Sequence, residues 1–234
     1  MPTVENQAIT VPASSVASRT ISSFAVGNNL NRLLLAGLAS YSPSAPHETH
    51  DSIVFNTSES FVKVADVITG SDPNGDYRLT LWRLIAPSVA TADIVGTCSA
   101  VVGSLAMLAI SIYDVHQTTP LGTAVTATAT TGEPSVTFDS ALGELGINLS
   151  LSEYGVSSHG GSQTEIVLDN TGWGFTATRK DGAAPNITMT EVLTGTTASW
   201  ETIGVSIKPA VIDQSVGINI NILRPRIFAP GLAR

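Results

Sequence analysis

The densest run of potential metal ligands is His47-Glu48-Thr49-His50-Asp51. Imidazoles and carboxylates together can hold zinc or a similar ion. The zinc-protease pattern needs two histidines four apart on one helix face, whereas these are three apart and follow Pro43 and Pro46. No third His or Cys stands nearby, so the segment reads as a polar, exposed loop. Ser111, Asp114 and His116 supply the residue types of a hydrolase triad. No serine occupies a Gly-x-Ser-x-Gly elbow, and alternation places Asp114 and His116 together on the rim of a strand end, where turn polarity accounts for them.

Acidic residues are frequent enough to suggest a glycosidase pair among Glu133, Asp139, Glu144, Glu153, Glu165 and Asp169. That mechanism depends on a separation in space, which spacing along the chain does not give. Asp72-Pro73-Asn74-Gly75-Asp76 has the look of a calcium loop but lacks the later bidentate Glu, and an Asn-Gly turn explains it. Trp82, Trp173 and Trp200, with Tyr41, Tyr77 and Tyr154, could line a sugar-binding face. Trp173 is the best candidate, because Gly172 and Gly174 flank it near a turn; a core or interface role is the competing and simpler reading. Cys98, the single cysteine, excludes an internal disulfide and a cysteine-based zinc site. No base stands near it, so it is expected to pack as a small apolar group. These residues imply no cofactor, no metal and no catalytic residue.

The elements that would carry them are strands. Only 13% of the 234 residues are charged and 43% are hydrophobic, which leaves ample material for a core. Alternating apolar segments predict strands at 19–26, 32–40, 52–55, 61–67, 78–86, 92–98, 104–113, 124–128, 135–138, 145–151, 164–168, 174–178, 187–193 and 199–208. Gly27-Asn28-Asn29, Asn74-Gly75, Asp181-Gly182 and Gly195 provide reversals between them. Residues 104–112 are apolar on both faces, which suits a buried strand or a buried helix; their β-branched and aromatic residues favour strand. One short helical turn is allowed at 140–145. The pattern predicts an all-β, antiparallel β-sandwich, jelly-roll-like, with extended N- and C-terminal arms. Its parts are an N-terminal arm at 1–18, a body at 19–210 and a C-terminal docking arm at 211–234. The start has no basic, apolar leader pattern, and the apolar run at 99–113 is too short to span a bilayer.

Charge is divided unequally along the chain. All nineteen carboxylates and eight of the eleven Lys and Arg precede residue 214, which leaves that part at −11. Residues 214–234 carry Arg224, Arg226 and Arg234 and no acid, a formal +3. Phosphate contacts need basic surface, so an acidic body argues against nucleic acid as a partner. In the tail, Ile218, Ile220 and Ile222 alternate with Asn219 and Asn221, the period of a strand. Pro225 and Pro230, with Phe228 and Leu232 between and beyond them, suit neither a helix nor a central strand. A segment so apolar and so short is expected to dock on a neighbour.

Four segments resemble a β-rich protein type that recurs in phage and bacterial sequences: residues 27–34 (GNNLNRLL), 81–87 (LWRLIAP), 114–123 (DVHQTTPLGT) and 200–208 (WETIGVSIK). Residues 224–231 (RPRIFAPG) look like the C-terminal arms of phage structural proteins. The resemblance implies a jelly-roll-like virion component and brings no catalytic residue with it. The expectation is a capsid decoration, or cement, protein made in the host cytoplasm and placed on the virion surface. Its partners would be the major capsid protein and copies of itself, as a trimer or dimer, with no nucleic acid and no membrane. Ile218, Ile220, Ile222, Arg224, Arg226, Phe228 and Leu232 would make the capsid contact. The alternative is a carbohydrate-binding or receptor-binding, tail-fibre-like module that uses Trp173.

Overall fold

The computed structural model describes residues 1–43, 48–69, 75–195 and 198–211. Every regular element among them is a strand, and every pairing is antiparallel. The centre of the fold is β8 (Ala90–Tyr113), a single strand of 24 residues where the sequence suggested two. At about 3.3 Å per residue it would run roughly 80 Å if straight. It carries β1 (Thr3–Ile9) and β2 (Ala13–Val26) along one edge, and β3 (Leu33–Ser42) and β4 (His50–Phe55) along the other. The pairing with β2 shifts register between Val16 and Ser18, opposite residues 98–101 of β8. Such a bulge bends the ladder and raises its twist. Together with β5 (Glu59–Ser60), β6 (Val62–Ile68) and β7 (Asp76–Ile85), these strands form an eight-stranded, strongly curled sheet.

Residues 1–18, expected as an N-terminal arm, therefore lie largely in strands hydrogen-bonded along β8. Glu5 fastens this region. Its carboxylate accepts from the Gly27 amide at 3.1 Å, Asn29 Nδ2 at 2.7 Å and Ser111 Oγ at 2.9 Å.

A second sheet has five strands in the order β13-β14-β11-β16-β9, formed by β9 (Val125–Ala129), β11 (Leu145–Ser152), β13 (Thr164–Asp169), β14 (Gly174–Asp181) and β16 (Trp200–Ile207). A third has three strands, in the order β10-β15-β12, from β10 (Ser135–Asp139), β12 (Val156–His159) and β15 (Asn186–Leu193). The layering follows from side-chain alternation. In β3, Leu34, Ala36 and Leu38 face the inside of the curled sheet with Trp82, Ile53, Phe55 and Met107. Leu33, Leu35 and Ala39 face the opposite way, onto Leu149, Phe175, Ile203 and Val205 of the five-stranded sheet. Because both faces are covered, residues 104–112 are apolar on both, which resolves the strand-or-helix ambiguity in favour of strand. The third sheet adds two smaller apolar clusters, Val136, Phe138, Ile187 and Met189 at one end and Val156, Leu193, Ala198 and Trp200 at the other. The all-β, antiparallel architecture is as expected; the third layer and the long β8 distinguish it from a simple two-sheet sandwich.

The contact between the first two layers is close. A Cβ placed on Gly37 would come within 2.5 Å of Leu149 Cδ2 and 3.1 Å of Leu108 Cγ. Gly37→Ala is expected to cost about 1–3 kcal/mol by overpacking. Leu149→Ala alone should cost about 2–5 kcal/mol by leaving a cavity. Since the new methyl group occupies the space that Leu149 vacates, the double variant should be less destabilised than the two costs added together. Urea unfolding of the four proteins measures this; strict additivity would show that the two sheets do not meet at Gly37.

Candidate functional site

Two histidines have their imidazoles inside the fold, in opposite electrostatic situations. His50, from the loop-like run noted in the sequence, is the first residue of β4 and is buried. Its Nε2 hydrogen-bonds Ser40 Oγ at 2.8 Å and its Nδ1 hydrogen-bonds Thr80 Oγ1 at 2.7 Å. Trp82 Nε1 donates to the same Thr80 oxygen at 2.8 Å. Burial, aided by the Arg78 charge, lowers the His50 pKa to about 3. The imidazole is thus a neutral part of the core, although Ser40 and His50 form the contact that a serine nucleophile and its base would make. Both residues are closed to solvent. Glu48 accepts from Ser42 Oγ at 2.9 Å, and Asp51 accepts from Thr49 Oγ1. His47 lies outside the described residues.

The second histidine, His159 in β12, stands directly across the ladder from Glu191 in β15. Its Nδ1 hydrogen-bonds Glu191 Oε2, and its Nε2 meets Glu165 Oε2 at 3.1 Å. Glu191 is fully buried, and its other oxygen accepts from Asn148 Nδ2 and Thr178 Oγ1, each at 3.2 Å. Asn148 continues to Ser150 at 3.0 Å, Ser150 Oγ donates to Thr202 Oγ1 at 3.0 Å, and Thr202 donates back to Asn148 Oδ1 at 2.5 Å. A closed polar network thus fills the middle of the second interlayer space, between its two apolar clusters. Burial lowers the His159 pKa, but the hydrogen bonds and charges of Glu191 and Glu165 outweigh it and leave the net shift upward. Burial holds Glu191 above the ordinary carboxylate range, against the pull of His159, Asn148 and Thr178.

This cluster was not foreseen from the sequence, where Glu165 stood only among several acids. The available signal was one acid, Glu191, in an otherwise apolar alternating row of Ile187, Met189 and Leu193.

The remaining candidates divide. Ser111 Oγ donates to Glu5, and His116 Nδ1 accepts from the Thr118 and Thr119 amides at 3.2 and 3.0 Å, so these two form a strand contact and a turn. Among the other acids, Glu133 accepts from the Leu193 amide at 2.6 Å, Glu144 from the Ala141 amide at 3.0 Å and Asp169 from the Thr171 amide at 3.0 Å, all turn or edge contacts. Cys98 is buried in β8, and burial raises its thiol pKa to about 12, which makes it inert. Among the described residues, no group of three or more His, Cys, Asp or Glu is placed to hold a metal ion. Asp72, Pro73 and Asn74 of the calcium-like loop lie outside the described residues.

Trp173 is 6% exposed and belongs to the main core. Its ring centre lies 6.0 Å from that of Tyr77, which lies 5.1 Å from that of Tyr41. These three rings, with Pro12 and Ser104, line a cleft of about 310 Å³. Ile218, Ile220, Ile222, Arg224, Arg226, Phe228 and Leu232 all lie outside the described residues. No helix among the described residues is long and apolar enough to cross a membrane. Comparison with protein-family models, with curated proteins and with solved structures finds no match for the chain.

The two histidines give stability opposite pH limbs. The unfolded chain protonates His50 near 6.5, but the folded protein does so only near 3. Its contribution is present above 6.5 and is lost as pH falls. The contribution of His159 is complete below 6.5 and is lost as pH rises through its raised pKa; Glu191, raised from 4.5, acts in the same direction. Melting temperature should therefore decline on both sides of a maximum. His50→Gln should flatten the acid limb and His159→Gln the alkaline limb, as read by differential scanning calorimetry from pH 4 to 9. Unchanged limbs would mean that neither histidine is held as described.

Proposed function

We propose that the protein is a structural component of a phage virion, a capsid decoration or cement protein that sits on the outer shell. The observation that carries this reading is the division of the chain. Up to Asp213 it is acidic, with a formal charge of −11, and its described part buries four apolar clusters of its own. Residues 214–234 are cationic and apolar and contain no acid. In this mechanism Ile218, Ile220 and Ile222 add an edge strand to the major capsid protein, and Phe228 and Leu232 fill apolar pockets. Arg224 and Arg226 pair with acceptors on the shell. Burying a few hundred Å² of apolar surface at roughly 25 cal/mol per Å² contributes on the order of several kcal/mol. Ordering the segment offsets much of that, so attachment gains from repetition over many copies and from self-association as a dimer or trimer.

Removing residues 214–234 should leave the melting temperature unchanged and abolish cosedimentation with purified capsid shells. Arg224→Glu with Arg226→Glu should weaken it at least tenfold. Undiminished cosedimentation of both proteins would refute the mechanism.

A second reading, a carbohydrate-binding or receptor-binding module, is supported by the run of rings from Tyr41 through Tyr77 to Trp173 along a cleft. Trp173 is too deeply packed to be a clean probe, so Tyr41→Ala is the better variant. Glycan-array binding by the native protein that disappears in Tyr41→Ala, at unchanged melting temperature, would favour this reading. Absence of any bound glycan would remove it.

A further inference from the structure

A cleft of about 620 Å³ lies on the side of the body where β1 meets the ends of β13 and β14. Its volume is in the range of cavities that hold small organic ligands, about 300–1,000 Å³. Arg179, in β14, lines it and also borders a neighbouring cavity of about 150 Å³. Arg179 is partly buried. Among the described residues, neither an ion pair nor a hydrogen bond engages it. The contrast with Arg78 is direct, for Arg78 grips Asp66 through two nitrogens at 2.9 and 2.7 Å and also donates to the Glu48 carbonyl. A planar fork of donors, partly desolvated and without an acceptor, is set up for a bidentate oxyanion.

The rest of the lining narrows the ligand. Lys180 Nζ already donates to the Thr188 carbonyl at 3.1 Å, so Arg179 supplies the recognition charge. Asp181 stands in the same wall and disfavours a dianion such as a phosphate monoester. Thr164, opposite Arg179 in the β13–β14 ladder, offers a hydroxyl, while the exposed Met1 side chain offers an apolar surface. One carboxylate, several hydroxyls and a C–H face together describe an acidic sugar.

We propose that this cleft binds a hydroxylated monocarboxylate of the hexuronic acid class, with Arg179 taking the carboxylate in bidentate form. The site shares no lining residue with the aromatic cleft, and the inference depends on neither reading above.

The test is titration of the full-length protein with sodium glucuronate, followed by amide chemical shifts, with glucose and glucose 6-phosphate as comparators. Saturable shifts centred on β13 and β14 are expected with glucuronate, with at least tenfold weaker binding of glucose and weaker binding of glucose 6-phosphate. Arg179→Gln should weaken glucuronate binding at least tenfold. Thr164→Trp, at an exposed edge position that fills the cleft without touching the core, should do the same. The proposal is overturned if glucuronate does not saturate, if glucose binds equally well, if glucose 6-phosphate binds more tightly, or if both variants bind like the native protein.

Discussion

A strand that is hydrogen-bonded along both edges and covered on both faces has nothing left to offer solvent, and residues 104–112 of β8 are in that position. β1 and the start of β2 hold one edge, β3 holds the other, and alternate side chains enter two different interiors. Leu105, Met107 and Ala109 fill the curled sheet; Ala106, Leu108, Ile110 and Ile112 meet the five-stranded sheet. The curl, the second layer and the docking of the N-terminal strand all rest on this one segment. Most of the area removed from water, the main favourable contribution to folding, is arranged around it.

The layers differ in what holds them together. The first interface is apolar throughout its middle, with Leu35, Leu108, Leu149, Phe175 and Ile203 in one cluster. The second is apolar only at its ends and polar at its centre, where Glu191 gathers Asn148, Thr178 and His159. Hydrogen bonds contribute modestly when made and cost much when broken in a dry interior. The third sheet is thus attached by contacts that demand completeness, whereas the first two sheets are joined by area.

How much of this was legible depends on where each signal lies. The alternation of Ile203, Val205 and Ile207 in β16 is local, and the strand was readable from it. So were the apolar run of β8 and the burial of Cys98. Strand β1 was not, because Glu5, Asn6 and Gln7 read as a polar arm. A register shift between Val4 and Asn6, and a carboxylate folded onto Gly27 and Ser111, let those polar residues occupy a strand. The continuity of β8 through Ser99 and Gly103 was hidden by residues that usually end strands. The His159–Glu191 pair was least accessible, since its partners are 32 residues apart in chain order and meet only through the β12–β15 register. For Trp173 the simpler reading, a core or interface role, agrees with its packing against Tyr77 in the main core.

Glu191 has a consequence for how the third sheet finds its place. Sliding β15 by a single residue would turn every side chain to the opposite face. An apolar row can tolerate such slips at modest cost, because one greasy contact substitutes for another. Here a slip would bring Thr190 or Val192 beneath Asn148 and Thr178 and strand their donors in a dry space. The acid in the row works as a key cut for one lock position: it excludes the misaligned neighbours of the native arrangement more than it deepens the native arrangement itself.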